Sequence, residues 1–262
     1  MLEKNTRLCL GLDPRLELHQ NSVEKVEQHC LDILEACSDL VACVKPNLAY
    51  YEAMGIAGMV LLEKICALAR VMGIPVILDG KRGDFPSTAE AYAKAWLTGQ
   101  HAGSALTMNP FLGFETIETF LSAATENSGA IFVLVKTSNP GSRDLQDLET
   151  KNGTVAQVIA KYLETQTQGD YGAVGAVVGA THASELEAWR KLMPNVLLLL
   201  PGLGAQGAKA TDLAAAFDKN GLGAIASASR AIQYASSGMD FAKVARAAAV
   251  SLRDELNQAL KK

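Results

Sequence analysis

The densest run of chemistry-bearing residues is Val76-Ile77-Leu78-Asp79-Gly80-Lys81-Arg82-Gly83-Asp84, with Thr88 close behind. Asp79 and Lys81 are two apart, so on an extended strand both project from one face. Asp84 lies beyond Gly83, where the backbone is free to turn. Taken alone, an Asp-x-Lys triplet reads as an ion pair closing a strand. Lys45, which ends a second apolar run at Val44-Lys45-Pro46, changes that reading. Brought beside Asp79, it completes a row of two ammoniums and two carboxylates: Lys45, Asp79, Lys81 and Asp84. In a half-buried site such a row keeps its members ionised, because a nearby opposite charge offsets desolvation. A Schiff-base lysine must be neutral, whereas a protonated one can stabilise a developing carbanion and then hand it the proton. The row therefore points to carbanion chemistry that needs no cofactor.

A second constellation, Pro201-Gly202-Leu203-Gly204-Ala205-Gln206-Gly207, formally matches the glycine pattern of dinucleotide-binding folds. That pattern belongs after the first strand of its fold, with an acidic residue ending the next strand. Here it follows a late apolar run, residues 196–200, and the next run ends in Ser229-Arg230. It reads better as a phosphate cradle, in which glycines expose backbone N–H groups and a helix N-terminus adds its dipole. The forked guanidinium of Arg230 would complete the donor set, the lesser alternative for Arg230 by itself being a surface ion pair. Lys136-Thr137-Ser138-Asn139-Pro140-Gly141 places hydroxyl and amide groups after a very apolar strand. Alone it is just as easily a capped turn, and the residues assign it no role. His19, His29, His101 and His182 share no metal-ligand spacing and read as surface or turn residues.

Something must bring these pieces to one place. Short β-branched runs at 7–13, 41–45, 75–79, 105–109, 131–137, 173–179, 196–200 and 223–227 alternate with stretches of helical period near 22–37, 56–72, 87–101, 114–125, 153–168, 183–192, 207–219 and 240–260. Eight strand-helix pairs exceed the usual count of a doubly wound open sheet and predict an α/β fold, a closed (β/α)8 barrel. No proline-rich linker, charge block or low-complexity tract divides the chain, so residues 1–262 are expected to form one catalytic domain. In such a barrel the C-terminal strand ends converge on one mouth. Here they carry Asp13, Lys45, Asp79 with Lys81, Asn109, Ser138, Gly179, Pro201 and Ser229-Arg230. About half of these are also explained as loop starts and helix caps.

Composition excludes several classes. With 49% hydrophobic and 20% charged residues in a chain of 262, the sequence is that of a globular protein. A net charge of -4 without a basic stretch argues against a nucleic-acid partner. The most apolar window, 192–208, is interrupted by Pro194, Pro201 and three glycines and is too short for a membrane helix. Residues 1–4 lead straight into strand-like sequence with no secretion-signal pattern, which predicts a cytoplasmic protein. Cys9, Cys30, Cys37, Cys43 and Cys66 are odd in number and lack a CxxC pair. They read as small hydrophobes, not as a zinc site or a disulfide framework.

Taken in order, Leu10-Gly11-Leu12-Asp13-Pro14, Val44-Lys45-Pro46, Asp79-Gly80-Lys81-Arg82-Gly83-Asp84 with Thr88, Thr137-Ser138-Asn139-Pro140-Gly141, Val178-Gly179-Ala180-Thr181-His182, residues 201–207 and Ser229-Arg230-Ala231-Ile232 resemble the orotidine 5'-phosphate decarboxylases, and within them the bacterial type 2 subfamily. The resemblance spans residues 7–235. Gly80 stands where that pattern has alanine and Phe85 where isoleucine is commoner, and neither carries charge. The resemblance implies a lyase without metal or cofactor that converts orotidine 5'-monophosphate to UMP and CO2 in pyrimidine synthesis. It further implies a homodimer in which Lys45, Asp79, Lys81 and Asp84 form the charged network, with Asp84 and Thr88 supplied across the interface. Lys81 would protonate C6, Asp13 and Lys45 would hold the ribose, Ser138 the pyrimidine, and Gln206 and Arg230 the phosphate. Pro201 would begin a mobile lid. Two alternatives remain open: a magnesium-dependent sugar-phosphate lyase or synthase of the same barrel superfamily, and a nucleotide-binding barrel without catalysis.

Overall fold

The computed structural model describes residues 4–179, 183–204 and 209–261. Eight parallel strands run along the chain: β1 (Leu8–Leu12), β2 (Cys43–Pro46), β3 (Ile77–Arg82), β4 (Ala105–Met108), β5 (Ala130–Lys136), β6 (Val174–Val178), β7 (Leu197–Pro201) and β8 (Ala224–Ala228). Consecutive strands pair in parallel, and β8 pairs with β1. Bridges at Val44–Val76 and Asn47–Asp79 join β2 to β3, so the sheet closes on itself. The architecture is a (β/α)8 barrel, and each expected strand is present.

Alternation with period two builds the inside of the barrel. Cys9, Cys43, Ile77, Ala105, Phe132, Val177, Leu199 and Ile225, one from each strand, form a single apolar cluster. The residues between them, such as Leu8, Leu10, Val44, Leu78 and Leu106, pack outward into the larger core under the helices. Two positions further toward the C-terminal ends, the same period brings Gly11, Lys45, Asp79, Thr107, Leu134, Gly179, Pro201 and Ser227 to the interior. An apolar plug thus fills the barrel, and the layer above it carries the polar side chains Lys45, Asp79, Thr107 and Ser227. The five cysteines are all free and buried, as small apolar residues should be.

The helices are α1 (Val23–Cys37), α2 (Leu48–Ala53), α3 (Gly55–Val71), α4 (Pro86–Leu97), α5 (Phe114–Glu126), α6 (Val155–Thr165), α7 (Ala183–Leu192), α8 (Ala210–Leu213), α9 (Arg230–Gln233) and α10 (Phe241–Ala259). Side-chain caps start two of the long ones: Ser22 accepts the Lys25 N–H, and Thr154 with Gln157 makes a capping box. Three departures from the sequence reading stand out. Asn47 caps a separate short helix, α2, ahead of the stretch expected to begin at 56. The helix expected at 207–219 shrinks to α8 and a 3-10 turn ending at Ala216. α9, directly after β8, was not expected.

The histidine reading is corrected. His29 and His101 are only 7% and 1% exposed. His29 sits on the inner face of α1 with its ring against His19, Tyr234 and Phe241. His101 packs on Trp96 and meets Glu63 at 3.1 Å. Isolated histidines carry no periodic signal, so packing of this kind is invisible in sequence. His182 lies outside the described residues.

Candidate active site

Lys45 ends β2 and Asp79 lies in β3, and both belong to the polar layer over the barrel plug. Both are buried, at 6% and 8% exposure. Lys45 Nζ lies 2.8 Å from Asp79 Oδ2, and Lys81 Nζ lies 2.6 Å from Asp79 Oδ1. One carboxylate therefore holds two ammoniums on its two oxygens. Burial alone would raise the Asp79 pKa, but Lys45 and then Lys81 outweigh it and hold the carboxyl well below the usual range. Burial likewise pulls Lys45 down, and Asp79, with Asp13 behind it, lifts the ammonium above an ordinary lysine. Within the chain the paired row is thus Lys45, Asp79 and Lys81, with the Asp13 charge acting on Lys45. Its outer end is open, because the Lys81 side chain is 48% exposed.

Lys81 does not simply follow the strand. Its φ is +46°, in the left-handed region that a non-glycine residue enters only at a cost, and the β3–β4 register slips between Leu78 and Arg82. The extended geometry assumed for Asp79 and Lys81 therefore does not hold, although the two side chains still meet. Thr107 of β4 secures the bend. Its Oγ1 accepts the Lys81 backbone N–H at 2.9 Å and donates to Asp79 Oδ1 at 2.9 Å. Thr107 is 1% exposed, and no motif around it singled it out. Its only sequence signal is its place two residues above Ala105 in the interior column. Beyond the bend, a Cβ on Gly83 would lie 2.7 Å from the Asn109 carbonyl oxygen, so glycine lets the β3 and β4 loops approach.

Asp84 Oδ1 accepts the Phe85 N–H at 2.8 Å, and its carbonyl accepts from Thr116 Oγ1. Among the described residues it makes no ion pair with Lys81 of its own chain. Thr88, on the first turn of α4, is exposed.

Five of the sequence-derived site residues, Asp13, Lys45, Asp79, Pro201 and Arg230, line one cleft of about 440 Å³ at the barrel mouth. Arg15, Asn47, Tyr50 and Ser229 line it too, and the sequence reading gave none of these a role in binding. The buried Oδ1 of Asp13 has no hydrogen-bond partner among the described residues and would take a donor from a ligand. Ser138 borders a different cavity, of about 840 Å³, shared with Lys136, Asn139, Arg143 and Trp189. Gln206 lies outside the described residues. Among those described, no group of three or more His, Cys, Asp or Glu side chains is placed to hold a metal ion, and no helix is long and apolar enough to cross a membrane.

Residues 6–246 match the family model described as Orotidine 5'-phosphate decarboxylase / HUMPS family. An orotidine 5'-phosphate decarboxylase of Deinococcus radiodurans is 58% identical over 261 residues, covering 99% of this chain and 94% of its own length. One from Rhodopirellula baltica is 40% identical, covering 98% of this chain and 96% of its own. The chain belongs to the orotidine 5'-phosphate decarboxylase family. The solved structure of Leishmania donovani OMP decarboxylase superposes with a TM-score of 0.85 at 32% identity, covering 99% of this chain and 96% of that one. Of the charged residues, Asp13, Lys45 and Asp79 line the cleft, and Lys81 is joined to it through its ion pair with Asp79.

Proposed function

We propose that the chain decarboxylates orotidine 5'-monophosphate to UMP and CO2, the reaction for which its family is named, and that residues 1–262 act as one barrel domain in the cytoplasm. The observation that carries this reading is the fixed placement of Lys81 Nζ, 2.6 Å from the buried Asp79 carboxylate. Loss of CO2 from C6 of the pyrimidine leaves an in-plane lone pair that the ring's π system cannot absorb. A preorganised cation beside C6 stabilises that charge without reorganising as it forms, and the same ammonium can then deliver the proton. Asp79 keeps Lys81 in place, and Lys45 keeps Asp79 ionised.

In this reading the unpartnered Asp13 Oδ1 accepts a ribose hydroxyl, with Lys45 beside it. Arg230 takes the phosphate at the far wall of the cleft, with Gln206, and Pro201 begins the segment that closes over it. Ser138 is assigned the pyrimidine by the family resemblance, although it borders the neighbouring cavity and not this cleft. Phosphate contacts remote from C6 would then help drive closure and raise turnover as well as affinity.

The partner is a second copy of this chain. Asp84 and Thr88 are not among the residues that line their own cleft, and exposed apolar side chains lie on their own and an adjoining loop, Phe85 at 66%, Phe111 at 77% and Leu112 at 37%. A two-fold interface over this surface would bring Asp84 of one copy to the open end of the other's charged row.

The test follows the fall in ultraviolet absorbance of orotidylate. The parent protein turns the substrate over, and Lys81→Met slows it by at least about 10³-fold, since it removes both the electrostatic anchor and the acid. Lys81→Met and Asp84→Asn, each inactive alone, recover about a quarter of parental activity when mixed and re-associated, because one site in each mixed dimer is intact. Tight UMP binding without turnover would make the chain a binder, and failure of mixing would refute the shared site.

A further inference from the structure

We propose that Gln233 and Tyr234 are positioning residues that tie the Arg230 wall of the cleft to the Asp13 wall, so that a grip on phosphate also sets the ribose contact. This rests on the reading of the cleft given above. The segment Asp13-Pro14-Arg15 has only two backbone N–H groups, since proline has none. Both go to one place: Asp13 N–H to Gln233 Oε1 at 2.9 Å, and Arg15 N–H to Tyr234 Oη at 2.8 Å.

Gln233 and Tyr234 are the last residue of α9 and the one after it, and α9 begins with Arg230. The turn is internally closed, with Gln233 N–H on the Ser229 carbonyl at 2.8 Å and Tyr234 N–H on that of Arg230 at 3.1 Å. Its base lies directly on β1, because a Cβ at Gly11 would be 1.9 Å from Ser229 Oγ. A shift of Arg230 is therefore carried through one rigid turn to both anchors of the 13–15 segment. Asp13, Arg15 and Arg230 all line the same cleft.

Gln233 is an expensive way to satisfy one N–H. It is 1% exposed, its amide nitrogen meets, among the described residues, the Cys30 sulfur at 3.9 Å, and immobilising so flexible a side chain costs rotamer entropy. At the rim of a wet cleft, water could satisfy the Asp13 N–H; a buried glutamine fixes where that N–H lies. Tyr234 is held in turn by stacking on His29, ring centroids 5.5 Å apart and 18° from parallel.

The experiment is a double-mutant cycle with Arg230→Ala, read as kcat/KM for orotidine 5'-monophosphate and for the phosphate-free nucleoside orotidine. Gln233→Met is expected to lose tenfold or more with the nucleotide in the parental background. It should lose less than threefold in the Arg230→Ala background, and less than threefold with orotidine. Tyr234→Phe, which removes one hydroxyl and keeps the ring stack, should show the same pattern on a smaller scale, and it decides the matter should Gln233→Met fail to fold. Equal losses in both backgrounds and with both substrates would overturn the coupling and reduce these residues to structural supports. No loss at all would overturn it as well. A parent without decarboxylase activity, or an Arg230→Ala variant without a defect, would instead overturn the reading of the cleft, and this proposal with it.

Discussion

Thr107→Val removes a single oxygen while preserving a β-branched shape, and the structure says where the consequences fall. The hydroxyl accepts the Lys81 N–H and donates to Asp79 Oδ1, both at 2.9 Å. Asp79 keeps both its lysines in the variant, so it loses one of three partners. The half-buried Lys81 amide loses its acceptor, and an orphaned N–H costs up to about 1–3 kcal/mol where water cannot replace the partner. That amide belongs to a residue at φ +46°, a conformation that stores about 1–3 kcal/mol of its own and persists only while its surroundings enforce it. Removing the anchor lets the bend relax and moves Lys81 Nζ off its mark. Transferred to the barrier, the lost hydrogen bond corresponds to roughly 5- to 150-fold in kcat.

Stability should fall with it, by about 2–4 °C in Tm for each kcal/mol in a chain of this size. The assay is orotidylate absorbance with a parallel thermal melt. Thr107→Ser, which restores the hydroxyl, should return kcat to within about threefold of the parent. Parental kcat and Tm in Thr107→Val would refute the idea that this hydroxyl holds the bend. So would a Thr107→Ser variant as damaged as Thr107→Val.

Arg230→Ala should reduce kcat/KM for orotidylate by at least about tenfold, the worth of one charge-assisted hydrogen bond; unchanged efficiency would remove the guanidinium from the phosphate site. Exhaustive treatment with EDTA should leave activity intact, whereas loss restored by added magnesium would favour the sugar-phosphate lyase alternative. Acid sensitivity should trace to His29, whose pKa burial, followed by the neighbouring His19 charge, pushes down from 6.5 to about 4. The folded state disfavours its proton, so this contribution is whole above pH 6.5 and is lost as pH falls toward 4. Urea unfolding at pH 7.5 and 4.5 should differ by about 2 kcal/mol on this account, after allowance for screening, and His29→Phe should abolish that part of the slope. Asp79 has the opposite chemistry and the same sign: its carboxylate contribution is present above the ordinary range and is lost only at pH values well below it. It should add little to the difference between 7.5 and 4.5.

What could be read from the sequence, and what could not, divides along a physical line. The barrel was legible because eight apolar runs repeat one pattern, and period-two alternation is a property of each strand by itself. Lys45 and Asp79 were legible for the same reason: each is a charge in an interior column that closure of the sheet brings together, and they meet at 2.8 Å. Lys81 was legible in identity but not in posture. A left-handed backbone at a lysine has no sequence signature, and the bulge that produces it depends on Thr107, a residue of another strand. Asp84 was placed in the row through the family resemblance, as a residue supplied across a dimer interface, and within its own chain it turns to the Phe85 amide.

The same division explains why α9 went unnoticed although Arg230 did not. A four-residue helix has no periodicity to detect, and Gln233 and Tyr234 sit in a stretch that reads as an ordinary loop. Their importance lies entirely in what they meet, the two N–H groups left by an Asp-Pro-Arg segment more than two hundred residues earlier in the chain. Charged groups announce themselves because their types are rare inside a protein. The neutral acceptors that aim them, Thr107 under Lys81 and Gln233 under Asp13, are common residues made unusual only by burial. Electrostatic catalysis depends on both kinds, since a cation contributes to a barrier only when it already stands where charge will appear.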